Sequence, residues 1–274
     1  MTSLERVERP AVWAEPVAPL RFLLDAWTIA EGELRKLRHD PTELLTRAVQ
    51  PLLWLLIFGQ VIGSTRAIPT GGLDYNDFLA PGILAQSALF SAIFFGIAVI
   101  WERDLGVLHK YLVSPAARSA LVTGKALAGG LRALVQATMV YALAAVMGVH
   151  LRLDPLSIIG VCLVVVIGSA AFATFSLVIA CLVRTRERFM GIGQILTMPL
   201  FFASSAIYPI SIMPGWLKVI AQINPLTYQV DALRGLMVQG SVQSFPLGLD
   251  FAVLIAATVV LIVIAARLYP RLAQ

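Results

Sequence analysis

The sequence predicts an all-α integral membrane fold. It has six transmembrane helices, an amphipathic interfacial helix before the first, a short helix on the cytoplasmic face and an extracellular re-entrant helix pair before the last span. Three observations lead there. Of 274 residues, 58% are hydrophobic and 14% charged, whereas an ordinary soluble domain carries about 25% charged residues, and the mean hydropathy is +0.83. Apolar runs approaching the roughly 20 residues needed to cross a hydrocarbon layer about 30 Å thick recur along the chain. The basic residues gather between those runs rather than along one face, which suits membrane topology and leaves the formal charge of +5 with no nucleic-acid footprint.

Residues 1–19 hold acids and prolines with no apolar core, so they read as a disordered cytoplasmic tail and not as a signal peptide. In residues 20–40, Leu20, Leu23, Leu24, Trp27, Ala30, Leu34 and Leu37 recur at three- and four-residue steps. Arg35, Lys36 and Arg38 gather at the end, and Asp40-Pro41 breaks the helix. Such a segment lies in the membrane interface, its apolar face in lipid and its basic end near anionic headgroups. Residues 41–274 form the six-helix transmembrane domain, with spans at about 44–63, 78–101, 126–149, 158–183, 189–210 and 251–267. Arg47 and Gln50 occupy the opening turns of the first, and Pro199 breaks the pattern of the fifth. An even number of spans puts both termini on one side. Arg35, Lys36, Arg103, Lys110, Arg118, Lys125, Arg184, Arg186 and Arg188 make that side the cytoplasm. Cys162 and Cys181 lie in one apolar stretch and cannot pair along a single helix.

Chemistry of its own is hard to find in the chain. Gly124-Lys125 looks like the end of a nucleotide-binding loop, but Ser119 stands where the motif needs glycine and Ala126 where it needs Ser or Thr. His39, His109 and His150 lack metal-ligand spacing, and no Gly-x-Ser-x-Gly elbow occurs. Asp77, Glu102, Asp104, Asp154, Glu187 and Asp250 all mark span boundaries. Arg132, the charge inside a predicted span, is near enough to the cytoplasmic end for its side chain to snorkel to the headgroups. A proton- or sodium-coupled carrier would need an ionisable group near the bilayer centre. Energy for uphill movement must therefore arrive from outside the bilayer. A secondary carrier, or a membrane-embedded enzyme or assembly factor, remains a competing class without a positive signature.

Three groups of residues are candidate sites. After the second span, segment 102–118 carries Glu102, Arg103, Leu105, Leu108, His109, Tyr111 and Leu112, in which Leu105, Leu108 and Leu112 form a short apolar stripe rimmed by charge. Such a helix suits a groove on a partner or the lipid surface. In segment 214–240, Asn224-Pro225 separates two stretches too short to cross, and Asp231 and Arg234, following Tyr228, share a helix face and could pair. Phe90, Phe94, Phe95, Phe201 and Phe202 would line an apolar route, or face lipid and neighbouring helices.

Tyr75-x-x-Phe78-Leu79-Ala80-Pro81-Gly82, Glu102-Arg103-x-x-Gly106-x-Leu108 running to Leu112-Val113-Ser114-Pro115-x-x-Arg118 and Gly124-Lys125, and Asn224-Pro225-Leu226-Thr227-Tyr228-x-x-Asp231-Ala232-Leu233-Arg234 follow in order. With the amphipathic helix before the first span, they make the chain resemble the type-2 permeases of ABC transporters, in particular daunorubicin-resistance-type drug export permeases. The resemblance implies an interfacial elbow helix carrying Trp27, Arg35 and Lys36 and a coupling segment from Glu102 to Leu112. It also implies two separate ATPase subunits docked from the cytoplasm. ATP and Mg would be bound by those partners, with no cofactor in this chain, no catalytic residue and no metal. A second permease copy or a paralogue would complete the pathway in a bacterial cytoplasmic membrane. The cargo would be hydrophobic or amphiphilic, a drug, natural product or lipid. A polysaccharide or lipid-linked glycan is the alternative.

Overall fold

The computed structural model describes residues 19–37, 49–65, 68–106, 117–183, 185–241 and 243–269. The predicted tail, the opening of the first predicted span, and Leu108, His109, Tyr111 and Leu112 of the coupling segment lie outside them, as does the side chain of Lys36.

Helix α1, Pro19–Leu37, is amphipathic in an unexpected sense. Its small residues Ala26 and Ala30 and the carboxylate of Glu33 are buried, while Leu23, Leu24 and Trp27 are exposed. The exposed face carries the large apolar groups that suit an interfacial helix; the small face docks on α4, Arg118–Val146. Close approach is possible because Gly124 has no side chain. A Cβ there would lie 2.6 Å from the Ala26 carbonyl oxygen and 2.8 Å from the Ile29 Cβ. Backbone cannot rotate out of the way, so Gly124→Val is expected to push α1 off α4 at a cost of about 1–3 kcal/mol. Maleimide labelling of an Ala30→Cys reporter should rise in that background; unchanged protection would refute the seating.

Helix α2, Val49–Thr65, is apolar and 17 residues long among the described residues, with π-helical geometry from Trp54 to Gly59. The central element is α3, Tyr75–Asp104, which packs against α2, α4, α5 (Pro155–Leu182), α6 (Arg186–Phe202) and α8 (Pro225–Met237). Asp154 caps α5, accepting from the Ser157 N–H at 2.9 Å, and Pro155 occupies the first turn, where a missing N–H costs nothing. Thr185 and Asn224 cap α6 and α8 in the same way. The short α7, Gly215–Ile223, precedes α8, and α9, Leu247–Leu268, returns along α5 and α8.

Among the described residues four helices, not six, are long and apolar enough to cross a membrane: α3, α4, α5 and α9. The first predicted span corresponds to α2, whose described residues, 17 in number, fall short of the roughly 20 required. The fifth was drawn to residue 210, but α6 opens on Arg186, Glu187 and Arg188 and stops at Phe202, three residues past Pro199. A run of turns follows it to the 3₁₀ turn Ile210–Ile212. The expected re-entrant pair is also overturned. Helices α7 and α8 exist, but α8 is buried in protein against α3, α5 and α9, its charges satisfied there, and α7 leaves Trp216, Val219, Ile220 and Ile223 exposed.

Candidate functional site: a buried charge cluster at the α1 end

Four ionisable side chains from three helices converge where α1 crosses the bundle. The Lys125 amine of α4, 1% exposed, donates to Glu102 Oε2 of α3 at 2.6 Å and lies 3.5 Å from Glu33 Oε1 of α1. Arg132, two turns further along α4, places its Nη2 3.5 Å from Glu33 Oε2 and 3.4 Å from the Glu33 carbonyl oxygen. Both cations lie near the Phe95 ring, at 5.9 and 5.6 Å from its centroid. Among the described residues two carboxylates and two cations meet here, as buried charge requires. The cluster ties α1 to the last turn of α3, where the segment predicted to couple begins.

The end of α3 is held a second time. The Arg186 guanidinium stacks 3.5 Å over the Trp101 ring and donates to Asp104 Oδ2 at 2.7 and 3.1 Å. Arg103 reaches Asp104 Oδ1 at 3.1 Å and the Val183 carbonyl at 3.3 Å. Gly106, at φ +71°, then ends the helix in the left-handed conformation that glycine tolerates. Leu105 beside it is exposed. Of the predicted coupling residues, Glu102 is thus buried in the ion cluster, Arg103 braces the neighbouring turn, and Leu105 faces outward.

The opposite end of the bundle is tied by polar contacts. Asp231, fully buried, accepts from the backbone N–H of Ser244 at 2.9 and 3.0 Å and of Phe245 at 2.9 Å. Arg234 stacks 3.9 Å over the Phe78 ring and donates to the Ser205 carbonyl at 2.7 Å and the Phe78 carbonyl at 3.4 Å. Burial pulls its pKa down to about 10, opposed by the charge of Asp231, so it is still a cation at neutral pH. The two residues therefore act on different segments. Asn224 donates to the carbonyls of Leu200 and Ala203 while accepting from the Leu226 N–H, Pro225 opens α8, and Tyr228 donates to the Gln222 carbonyl at 2.7 Å.

Asp77, at the start of α3, accepts from the His150 backbone N–H at 3.0 Å and meets His150 Nδ1 at 2.9 Å. Folding brings Asp74, Asp77 and His150 within 4.8 Å at their ligand atoms, the group with metal-ligand spacing among the described residues. The linear spacing of the histidines had hidden it, and Asp77 is already engaged by the imidazole. The hydrogen bond to Asp77, then the carboxylate charge, raises the His150 pKa. A group whose pKa is raised on folding contributes stability fully below its unfolded value, about 6.5, and loses it as pH climbs through the folded value. Thermal stability should accordingly fall from mildly acid to mildly alkaline pH, and His150→Gln should flatten that slope. An identical slope in the variant would exclude the pair as its source.

The predicted aromatic route divides. Phe95 is buried under the two cations and Phe201 is buried against Trp54. Phe202 is part-exposed, and Phe90 and Phe94 stack on each other at 6.4 Å along a cleft between α2, α3 and α4. Sequence reading passed over Glu33, and Lys125 stood out only beside Gly124 in a cytoplasmic motif, not as a partner of Glu33. Arg132, read as snorkelling, is pinned to Glu33. The available signal was positional: Glu33 follows Ala26 and Ala30 on the small-residue face of α1.

Four helices long and apolar enough to cross a membrane, packed around a buried charge cluster, make this a multi-pass all-α membrane protein. The profile of the ABC-2 type transporter family matches residues 25–238, and the chain belongs to that family. Members are non-catalytic transmembrane subunits of ABC transporters. The chain is 27% identical over 78% of its length, and 74% of the relative, to a protein of Cyanophora paradoxa that bears the transport-permease name ycf38. It is 26% identical over 98% of its length, and 91% of the relative, to the daunorubicin resistance ABC transporter permease protein DrrB1 of Streptomyces coeruleorubidus. Nodulation protein J of Rhizobium leguminosarum bv. trifolii is 26% identical over 71% of this chain and 73% of its own.

Proposed function

We propose that the chain is the membrane subunit of an exporter that moves a hydrophobic or amphiphilic cargo, such as a drug, natural product or lipid, out of a bacterial cell. Two separate ATPase subunits, which bind ATP and Mg, dock at the α1 end, and a second permease copy or a paralogue completes the pathway. Both termini lie in the cytoplasm, in keeping with the basic residues of the tail and of the segments after α3 and α5.

The carrying observation is the buried cluster of Glu33, Lys125, Glu102 and Arg132. A push on the segment beyond Leu105 meets the last turn of α3, which is bonded through Lys125 to α1 and α4, so the three helices move as one lever. That is what a partner-biased switch between two membrane arrangements requires. The daunorubicin-resistance name of the relative that covers nearly the whole chain favours an amphiphilic drug-like cargo.

The test is ATP hydrolysis by the complex reconstituted with its ATPase in nanodiscs, across uncharged drugs, lipids and lipid-linked glycans. Stimulation by the amphiphiles is expected. Stimulation by glycans alone would replace the cargo reading, and ATP hydrolysis by the lone chain would remove the two-component reading.

A further inference from the structure

Beside the charge cluster, the bundle carries a polar feature that the contacts described above do not use. The cleft between α2, α3 and α4 opens to the outside, has a volume of about 60 Å³, and is lined by Gln50, Gln86, Ser87, Phe90, Phe94 and Gln136. That is room for one end of a ligand rather than the whole of it, in a lining that, as in ligand sites, is mostly apolar with a few placed polar groups. Its rim is the stacked Phe90–Phe94 pair, the second ring 39% exposed. Its floor includes Gln86, 2% exposed, whose Nε2 has no hydrogen-bond partner. Ser87 has spent its proton on the Ile83 carbonyl at 2.8 Å, whereas the buried Gln86 amide is a donor still to be met. A buried donor without an acceptor is costly, and such a group in a native fold calls for an explanation. None of the lining side chains is charged.

We propose that this cleft is a binding subsite for an uncharged, flat amphiphile whose carbonyl oxygen accepts a hydrogen bond from the Gln86 amide while its apolar body lies against Phe90 and Phe94. The assignment rests on the export reading for its biological meaning and names the cargo class: planar, neutral and carbonyl-bearing, rather than polyhydroxylated or ionic. Cationic and anionic groups find no counter-charge among the described lining residues. A sugar chain would leave most of its hydroxyls facing aromatic carbon.

The test uses the full-length protein in phosphatidylcholine nanodiscs, photolabelled with benzophenone, a carbonyl between two rings that inserts into nearby C–H bonds on irradiation. Mass spectrometry of the peptides is expected to place saturable label on the stretch holding Phe90 and Phe94. Fluorenone should compete at about tenfold lower concentration than fluorene, which has the same shape without the carbonyl, because only fluorenone satisfies the buried amide. Gln86→Leu removes an unpaired polar group from the interior, so the fold should survive, and it should erase the difference between the two competitors. Phe94→Ala, a change at a part-exposed ring, should weaken labelling several-fold. Unsaturable label scattered over all lipid-facing helices, or equal competition by fluorenone and fluorene, would overturn the subsite. Since labelling is read on the lone chain, it can fail while cargo still stimulates the reconstituted ATPase, or hold while no cargo does, which separates the two readings.

Discussion

Lys125→Met is expected to destabilise the protein by about 3–5 kcal/mol, the cost of breaking a buried ion pair by removing one partner. The amine lies 2.6 Å from Glu102 and 3.5 Å from Glu33, and its loss takes from the buried Glu102 carboxylate its 2.6 Å donor. The neutral methionine fills nearly the same volume, so a fall in stability reports charge rather than a cavity. The double variant Lys125→Met/Glu102→Gln supplies the control. It removes a cation and an anion together, while Glu33 keeps Arg132 at 3.5 Å, and replacing a buried pair by neutral groups is often close to neutral. Denaturation in detergent should find the single variant weak and the double variant largely restored. A single variant as stable as the parent would show that the cluster is not a structural bond between α1 and α3.

Arg234→Met should have the next largest effect, about 3 kcal/mol or more. The guanidinium is buried against the Phe78 ring and satisfies the Ser205 and Phe78 carbonyls. Without it those oxygens lose a donor and Asp231 loses the nearby cation. Arg234→Lys separates the contributions. It keeps the charge but not the flat fork that stacks on a ring while reaching two acceptors, so it should recover only part of the loss. Equal stability of the lysine variant and the parent would assign the effect to charge alone; an unaffected Arg234→Met would remove the residue from the framework.

The long helices α3, α5 and α9 were legible because their apolar runs exceed the bilayer thickness and end on clear signals, such as Asp154-Pro155 at the start of α5. Elements decided by tertiary contact were not. Helix α8 has Asp231, Arg234 and Gln229 buried within a modestly apolar segment. No periodicity shows that Ser244, Phe245 and Ser205 will satisfy two of them from elsewhere in the chain. The same blindness applies to the charge cluster. Glu102 and Gly124-Lys125 stood out as parts of one cytoplasmic motif, yet Glu33 lay unremarked on α1, because nothing local says that its helix will turn small residues inward and leave leucines and Trp27 outside. The weak spans failed for a different reason: Arg186, Glu187 and Arg188 take the first turn of α6, and Pro199 lies near its end.

The seating of α1 has a consequence for biogenesis. Glu33 emerges from the ribosome early, but the arginine that binds its carbonyl and carboxylate follows 99 residues later. Until α4 has been made, α1 lacks both the helix that covers its alanines and the cations that meet its acid. Docking of the amino-terminal helix is thus a late maturation step. A nascent chain stalled before α4 would display a loose, protease-accessible segment by which cellular quality control could recognise it.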